Sequence, residues 1–384
     1  MTNAATPTPR PQRILFTIPN FVTAGSGQAM VNIIDRLDRT RFEPTVAIRY
    51  RGGRLEAHLE ATGVPIVVTD FTVAQAPLVT LPYRAWKASR RFSGQYDIWH
   101  SFNWQGEFSE PLMARFSGAR SWVFTKKNMG WGTKAWMIRS LLATRIAVQN
   151  ESMTELFFSS PWLRKKVRYV PTGIDVEHWW ATPPDLDLRG RLGVAPDALL
   201  IASVGNIQPG KNQATLVRAL AAVPEAHLVL VGPIMDEVYA AVLTDLAAEL
   251  SVADRVHPIG ASSAVASLLK ASDLFAFSSL AEGSPVAMLE AMAVGLPGVY
   301  SDIPGLSERI VDGVDGFLVG PNDVDAMADR LRQLLASADL RRSMGEAAHQ
   351  AMQQRGRVET EVARYTSLYL ELRARSSNGG RLRP

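Results

Sequence analysis

The chain reads as an α/β protein built from two Rossmann-like domains, and three observations predict it. Short β-branched apolar runs alternate with amphipathic stretches, the grammar of parallel sheets joined by crossover helices. Those runs fall into two series of about six each, too many for a closed eight-fold barrel. The length of 384 residues exceeds what one ordinary core serves and suits two.

In order along the chain, the first series of strands is expected at 13–18, 45–48, 65–69, 97–100, 121–124 and 145–148. The second is expected at 199–204, 227–231, 255–258, 274–277, 298–300 and 316–319. The proline-bearing stretch 181–188, ATPPDLDL, has little periodicity and marks the seam. The expected division is a disordered tail at 1–12, a first domain at 13–180 and a second at 181–355. A last helix follows at 356–375, with a disordered basic tail at 376–384.

Composition removes several kinds of chemistry. With no cysteine, disulfides, thiolate metal sites and cysteine nucleophiles are excluded. The six histidines stand singly without ligand spacing, so no zinc site is expected. The polar, proline-rich start MTNAATPTPRPQ lacks the features of a signal peptide, and no run reaches the length of a membrane span. A cytoplasmic protein is therefore expected. Residues 1–180 hold 23 Lys and Arg against 13 Asp and Glu, whereas 181–384 hold 18 against 24. A basic half joined to an acidic one points to an anionic partner or surface, and no nucleic-acid motif accompanies it.

The densest signal is the stretch 281–319, AEGSPVAMLEAMAVGLPGVYSDIPGLSERIVDGVDGFLV. Glu282 and Gly283 form the turn beyond a strand, Ser284 suits an N-cap and Pro285 the first helical position. The helix that follows would aim free N–H groups and its positive end at a diphosphate. Glu290, within the second turn, could accept two hydrogen bonds from a ribose diol, and Glu282 could reach hexose hydroxyls. A second constellation is SVGNIQPGKN at 203–212. Gly205 leaves room for a ligand, Asn206 follows it, and Lys211 starts a helix with a mobile charge for phosphate oxygens. It is not the Walker pattern. After the first strand, PNFVTAGSGQ places Gly25 and Gly27 in a loop able to accept an anion at a helix start.

Together these stretches resemble the retaining glycosyltransferases of the GT-B fold, family four, over roughly 165–350. The resemblance includes PTGID at 171–175 and is looser over the first half. It implies a nucleoside-diphosphate sugar donor, UDP before GDP, held by the second domain, with catalysis in the cleft between domains. It also implies a glycan, lipid-linked or small-molecule acceptor met by the first domain, a final helix crossing back to that domain, and no metal or other cofactor. By the same resemblance Lys211 neutralises the leaving diphosphate, Glu290 holds ribose and Glu282 the sugar. Gly25, Gly27, Gly205, Asn206, Gly283, Ser284 and Pro285 lie against the donor. Two departures stand out: Asn206 replaces a frequent arginine, and Phe102 replaces a second histidine two places after His100, itself a candidate catalytic residue. These departures leave open a non-catalytic sugar-nucleotide-binding protein; a nucleotide-sugar epimerase on the same fold is the other alternative.

Two Asp-x-Asp pairs, Asp185/Asp187 and Asp323/Asp325, fit metal–diphosphate spacing, but turn and capping roles suit them better. Tryptophans mix with basic residues at 81–92, 122–139 and 161–168. That composition suits a membrane interface or a phosphate-bearing lipid acceptor, or equally tryptophans in a core with charges in water.

Overall fold

The computed structural model describes residues 10–21, 24–130 and 134–377. The β-branched runs become strands of two all-parallel sheets. The first sheet holds β1 (Gln12–Thr17), β2 (Phe42–Ile48), β3 (Ile66–Val68), β4 (Ile98–Ser101), β5 (Ser121–Lys126), β6 (Arg145–Val148) and β7 (Val167–Tyr169). The second holds β8 (Leu199–Val204), β9 (Ala226–Val231), β10 (Val256–Gly260), β11 (Leu274–Phe277), β12 (Gly298–Ser301) and β13 (Phe317–Val319). All twelve expected strands are present, to within a few residues at their ends; β7 is additional, a short half-buried edge strand.

The orders are β3-β2-β1-β4-β5-β6-β7 and β10-β9-β8-β11-β12-β13. In both, chain order reverses beside the first strand, between β1 and β4 and between β8 and β11. Open parallel sheets bind ligands outside the carboxyl ends at such points.

The chain divides into one unit of Met1–Pro171 with Glu361–Pro384 and a second of Thr172–Thr360. The expected seam at 181–188 is thus displaced: Val176–Ala181 and Leu188–Leu192 are helices of the second unit, whose core takes in Val176 and Leu188. The helix Val358–Ser377 supplies Tyr365, Leu368, Tyr369 and Leu372 to the core of the first unit. Its Glu371 takes hydrogen bonds from Arg145 Nε (3.0 Å) and Arg168 Nε (2.9 Å). Burial works against the ionisation of Glu371, but these two arginines outweigh it and hold the carboxyl at about 2.

Most of the expected tails, 1–9 and 378–384, lies outside the described residues. The part of the first tail that is described is ordered: Arg10 makes a two-pronged ion pair with Asp97 at 2.8 and 2.9 Å, and Gln12 begins β1. Ser376 and Ser377, also expected in a tail, extend the last helix.

Candidate functional site

The strongest site lies at the strand-order reversal of the second sheet. β8 runs into Gly205 and Asn206, then a single 3-10 turn, Pro209–Lys211. Asn212 adopts a left-handed conformation (φ 53°), and only then does the helix Gln213–Ala221 begin. Lys211 therefore ends a tight turn rather than starting a helix. The neighbouring strand, β11, runs into the loop of Glu282–Ser284 and the helix Val286–Ala293.

These two loops bring the charged candidates together. Lys211 Nζ lies 2.5 Å from Glu282 Oε1, with the side chains 21% and 12% exposed. The ammonium also stands 5.2 Å from the centre of the Phe277 ring, whose face attracts a cation. Ser278, at the end of β11, donates to the carbonyls of Asn212 (2.8 Å) and Lys211 (3.2 Å). The Leu280 N–H donates to Gly210 O at 3.0 Å, and Asn212 Nδ2 donates to Pro321 O at 2.8 Å. The lysine turn is thus tied to the β11 loop by Ser278 and Leu280 and to the chain after β13 by Asn212. In the sequence Phe277 and Ser278 are marked only as a serine directly after an apolar strand, LFAFSS.

Two local expectations are corrected. Ser284 is not the N-cap: Pro285 occupies that position with extended geometry (ψ 96°), and no side chain caps the helix. The first N–H groups of the helix consequently keep no side-chain acceptor within the motif, as an incoming anion requires. At Gly205 a Cβ would meet nothing closer than the Lys211 side chain, at an ordinary 3.7 Å. A Cβ at Gly232, just past β9, would however lie 2.1 Å from Gly205 O, so Gly232 is what lets the chain leaving β9 pass the chain leaving β8. Gly25 and Gly27 lie within the helix Ala24–Arg36, not in a loop. At Gly27 a Cβ would press on Leu55 (2.9 Å) and Phe21 (3.1 Å), a packing role.

Glu290 is half-buried midway along Val286–Ala293, and Gly283 is buried in the turn before it. Asn206 is half-buried, and its carbonyl accepts from Gln213 Nε2 at 2.9 Å. Asp323 caps the helix Val324–Ala336 through the Ala326 N–H at 2.9 Å, and Asp185 pairs with Arg191, so both fill ordinary structural roles. Among the described residues no group of three or more His, Asp or Glu side chains is placed to hold a metal ion.

His100 is corrected outright. It is fully buried, with Nδ1 2.7 Å from Tyr369 Oη and Nε2 2.9 Å from Thr125 Oγ1. Both ring nitrogens are spent inside the core of the first unit, leaving no edge for a substrate. Burial, with the charge of Lys127 adding to it, pushes its pKa down to about 3. Between pH 6.5 and that value the unfolded chain takes up a proton that the folded chain refuses, so stability falls as the pH falls. The thermal midpoint should drop from pH 6.5 to pH 5, with a slope of up to about 1.4 kcal/mol per pH unit from this group. His100→Asn should flatten that slope, and an unchanged slope would assign it elsewhere.

At the corresponding reversal of the first sheet the space is filled by a buried polar network. Glu110 Oε1 accepts from Thr17 Oγ1 at the end of β1 (2.5 Å) and from Trp99 Nε1 (3.0 Å), while Oε2 accepts from Ser101 Oγ at the end of β4 (2.7 Å). Arg139, itself fully buried, pairs with Glu107 at 2.9 Å and Glu110 at 3.4 Å. Nothing in the sequence pattern announces this cluster. Beside it, beyond the ends of β2, β3 and β4, lies a pocket of about 510 Å³ whose lining includes Arg49, Asp70, Thr72, Arg91, Gln105 and Glu107. Arg49 is 19% exposed; it makes a 3.4 Å hydrogen bond to Gln105 and a 3.6 Å ion pair to Asp70, and stands over the Phe71 ring at 5.4 Å.

The basic–aromatic stretches divide. Trp122 and Trp136 are buried, whereas Trp86 and Trp162 are exposed; Trp131 lies outside the described residues. No described helix is long and apolar enough to cross a membrane.

Comparison with known proteins addresses the second unit directly. Residues 186–351, which contain Lys211, Glu282 and Glu290, match the family model for glycosyl transferases group 1. The second unit carries a glycosyl transferases group 1 domain. The chain is 31% identical over 195 residues to N-acetyl-alpha-D-glucosaminyl L-malate synthase of Bacillus anthracis, covering 50% of each chain. It is 35% identical over 215 residues to D-inositol 3-phosphate glycosyltransferase of Actinosynnema mirum, covering 51% of this chain and 49% of that one. The chain thus spans about half the length of the curated relatives it matches. Among solved structures, Anabaena HepE in complex with UDP and glucose superposes with a TM-score of 0.81 at 20% identity, over 93% of this chain and 99% of that one. The fold is GT-B, with the group 1 domain as its second Rossmann-like unit.

Proposed function

We propose that the protein is a retaining glycosyltransferase that moves a hexose-type sugar from a nucleoside diphosphate, UDP by preference, to a glycan, lipid-linked or small-molecule acceptor. The expected setting is bacterial surface polysaccharide or glycoconjugate synthesis, in the cytoplasm. The observation that carries this reading is the Lys211–Glu282 pair at the strand-order reversal, beside the uncapped helix that bears Glu290. The named relatives, which join a sugar to malate or to inositol 3-phosphate, support transfer over epimerisation. The UDP and glucose bound by HepE support the donor class.

In this reading the diphosphate lies over the first turn of Val286–Ala293. Lys211 moves from Glu282 to the phosphate oxygens, which frees the carboxylate for sugar hydroxyls, while Glu290 takes the ribose diol. Fixed charge and helix dipole stabilise the leaving diphosphate, so the reading assigns no metal. The buried Arg139 network keeps the other reversal closed, which leaves the Arg49 pocket as the proposed acceptor region.

The test is the thermal midpoint with UDP, GDP, dTDP or ADP in EDTA, for the protein and for Glu290→Ala. UDP at a hundredfold excess over Kd should raise the midpoint by roughly 5–10 °C. The rise should vanish in the variant, and donor turnover should accompany it in the parent protein. A rise that needs magnesium would overturn the metal-free reading, and binding without turnover would favour a non-catalytic protein.

A further inference from the structure

Residues 71–96 carry four basic side chains, Arg84, Lys87, Arg90 and Arg91, and no acidic one. Within them, a 3-10 turn at Leu78–Thr80 leads into the helix Leu81–Ser89. The helix has two clearly different faces. Leu81, Ala85 and Ser89, at successive turns, are buried against the first unit. The opposite face carries Tyr83, Trp86 and Lys87, with Arg90 just beyond the helix, at the i, i+3, i+4, i+7 spacing of one outward stripe. Tyr83 is 60% and Trp86 44% exposed, and in the turn before them Leu78 is 66% and Val79 85% exposed. Two aromatic and two aliphatic side chains on one short segment form an apolar patch, and water is an unfavourable neighbour for it.

The chemistry of the patch selects its occupant. Arg90 stands over the Trp86 ring at 5.6 Å, and the Tyr83 and Trp86 rings are 6.0 Å apart, so basic heads fringe an aromatic centre. Tyrosine and tryptophan settle at the headgroup level of a bilayer, and lysine and arginine reach anionic headgroups from the same depth. A nucleic acid could stack on the two rings but offers no place for Leu78 and Val79, whereas acyl chains do. We propose that the segment 78–90 is a docking surface for an anionic lipid membrane, with Leu78, Val79, Tyr83 and Trp86 entering the interface and Lys87 and Arg90 meeting acidic headgroups.

The same segment turns its other side to the pocket described above: Ala88 and Arg91 are part of that lining, as are Val73, Ala74 and Gln75 just before the turn. Docking would therefore hold the pocket at the membrane surface, within reach of a lipid-linked substrate. The docking itself stands apart from the glycosyl-transfer reading and can fail or succeed without it.

Cosedimentation of the full chain with vesicles tests the proposal, using phosphatidylcholine alone and phosphatidylcholine with a third phosphatidylglycerol, without nucleotide. Binding should favour the anionic vesicles and weaken as salt is raised. Tyr83→Ala with Trp86→Ala should lower partitioning roughly tenfold or more. Lys87→Gln and Arg90→Gln should each lower it roughly fivefold. An unchanged thermal midpoint will show that these surface variants fold, and Trp162→Ala, an exposed tryptophan outside the segment, should bind like the parent. The proposal fails if anionic vesicles do not retain the protein, or if both vesicle types bind it equally. It also fails if Tyr83→Ala with Trp86→Ala leaves binding intact, or if that variant instead abolishes self-association seen without lipid, which would make the patch a contact between copies of this chain.

Discussion

Replacing Lys211 by alanine should lower kcat for sugar transfer by about 10²- to 10³-fold, the loss typical of removing one preorganised group that faces developing charge. The expectation rests on position. The lysine closes a tight turn tied to the β11 loop by Ser278 and Leu280, so its ammonium is presented at the strand-order reversal rather than swinging in solvent. Its partner makes the effect larger. Without Lys211, the Glu282 carboxylate, 2.5 Å away in the intact protein, stands uncompensated where a diphosphate must enter. Adding Glu282→Gln to Lys211→Ala should therefore recover part of the nucleotide binding and little of the turnover. Steady-state kinetics on both variants, with thermal midpoints to show that they fold, separates binding from chemistry. A single variant with unimpaired kcat would remove the leaving-group role from this lysine.

The largest stability effect is expected at Arg139, far in sequence from any motif. Its guanidinium is fully buried, pairs with Glu107 and Glu110, and donates to Ser101 Oγ at 2.7 Å. Arg139→Ala leaves two carboxylates without their shared cation in an environment that penalises charge. Breaking a buried pair from one side costs about 3–5 kcal/mol. For a chain with units of this size the thermal midpoint should fall by roughly 10 °C. Combining Arg139→Met with Glu110→Gln should restore part of the loss, because a neutral amide tolerates burial better than an unpaired carboxylate. Urea denaturation of the three proteins checks the order; a change under 1 kcal/mol for Arg139→Ala would show that the network is not a stabilising element.

Much of this molecule is legible in one sequence because both sheets are parallel and their central strands are buried on both faces, so those strands announce themselves as apolar runs. The strand that escaped, β7, is a half-buried edge strand of three residues in the basic stretch KKVRY, where no apolar run forms. The pairing of Lys211 with Glu282 is not legible, although each residue stands out in its own motif. Their contact depends on which strands are neighbours, and strand order is not written locally. His100 misled for the converse reason. A histidine at the end of a strand has the same local pattern in a core as at a site, and its partner Tyr369 lies 269 positions away. The three basic–aromatic stretches of the first half cannot be sorted by composition either, since the buried Trp122 and the exposed Trp86 both have basic neighbours.

The closing helix Val358–Ser377 belongs to the core of the unit that the chain begins, while Thr172–Thr360 forms the other. During synthesis this imposes a delay. At about 5–20 residues per second, roughly 10–40 s separate the appearance of Pro171 from that of Glu361. Through that interval His100 and Thr125 lack the tyrosine hydroxyls they bind in the finished fold, and the apolar surface that receives Leu368 and Leu372 has no cover. The group 1 domain, by contrast, is contiguous and can complete itself while the ribosome is still working. The half made first is therefore the half finished last, and a nascent chain stalled before Glu361 presents an open core to chaperones and proteases.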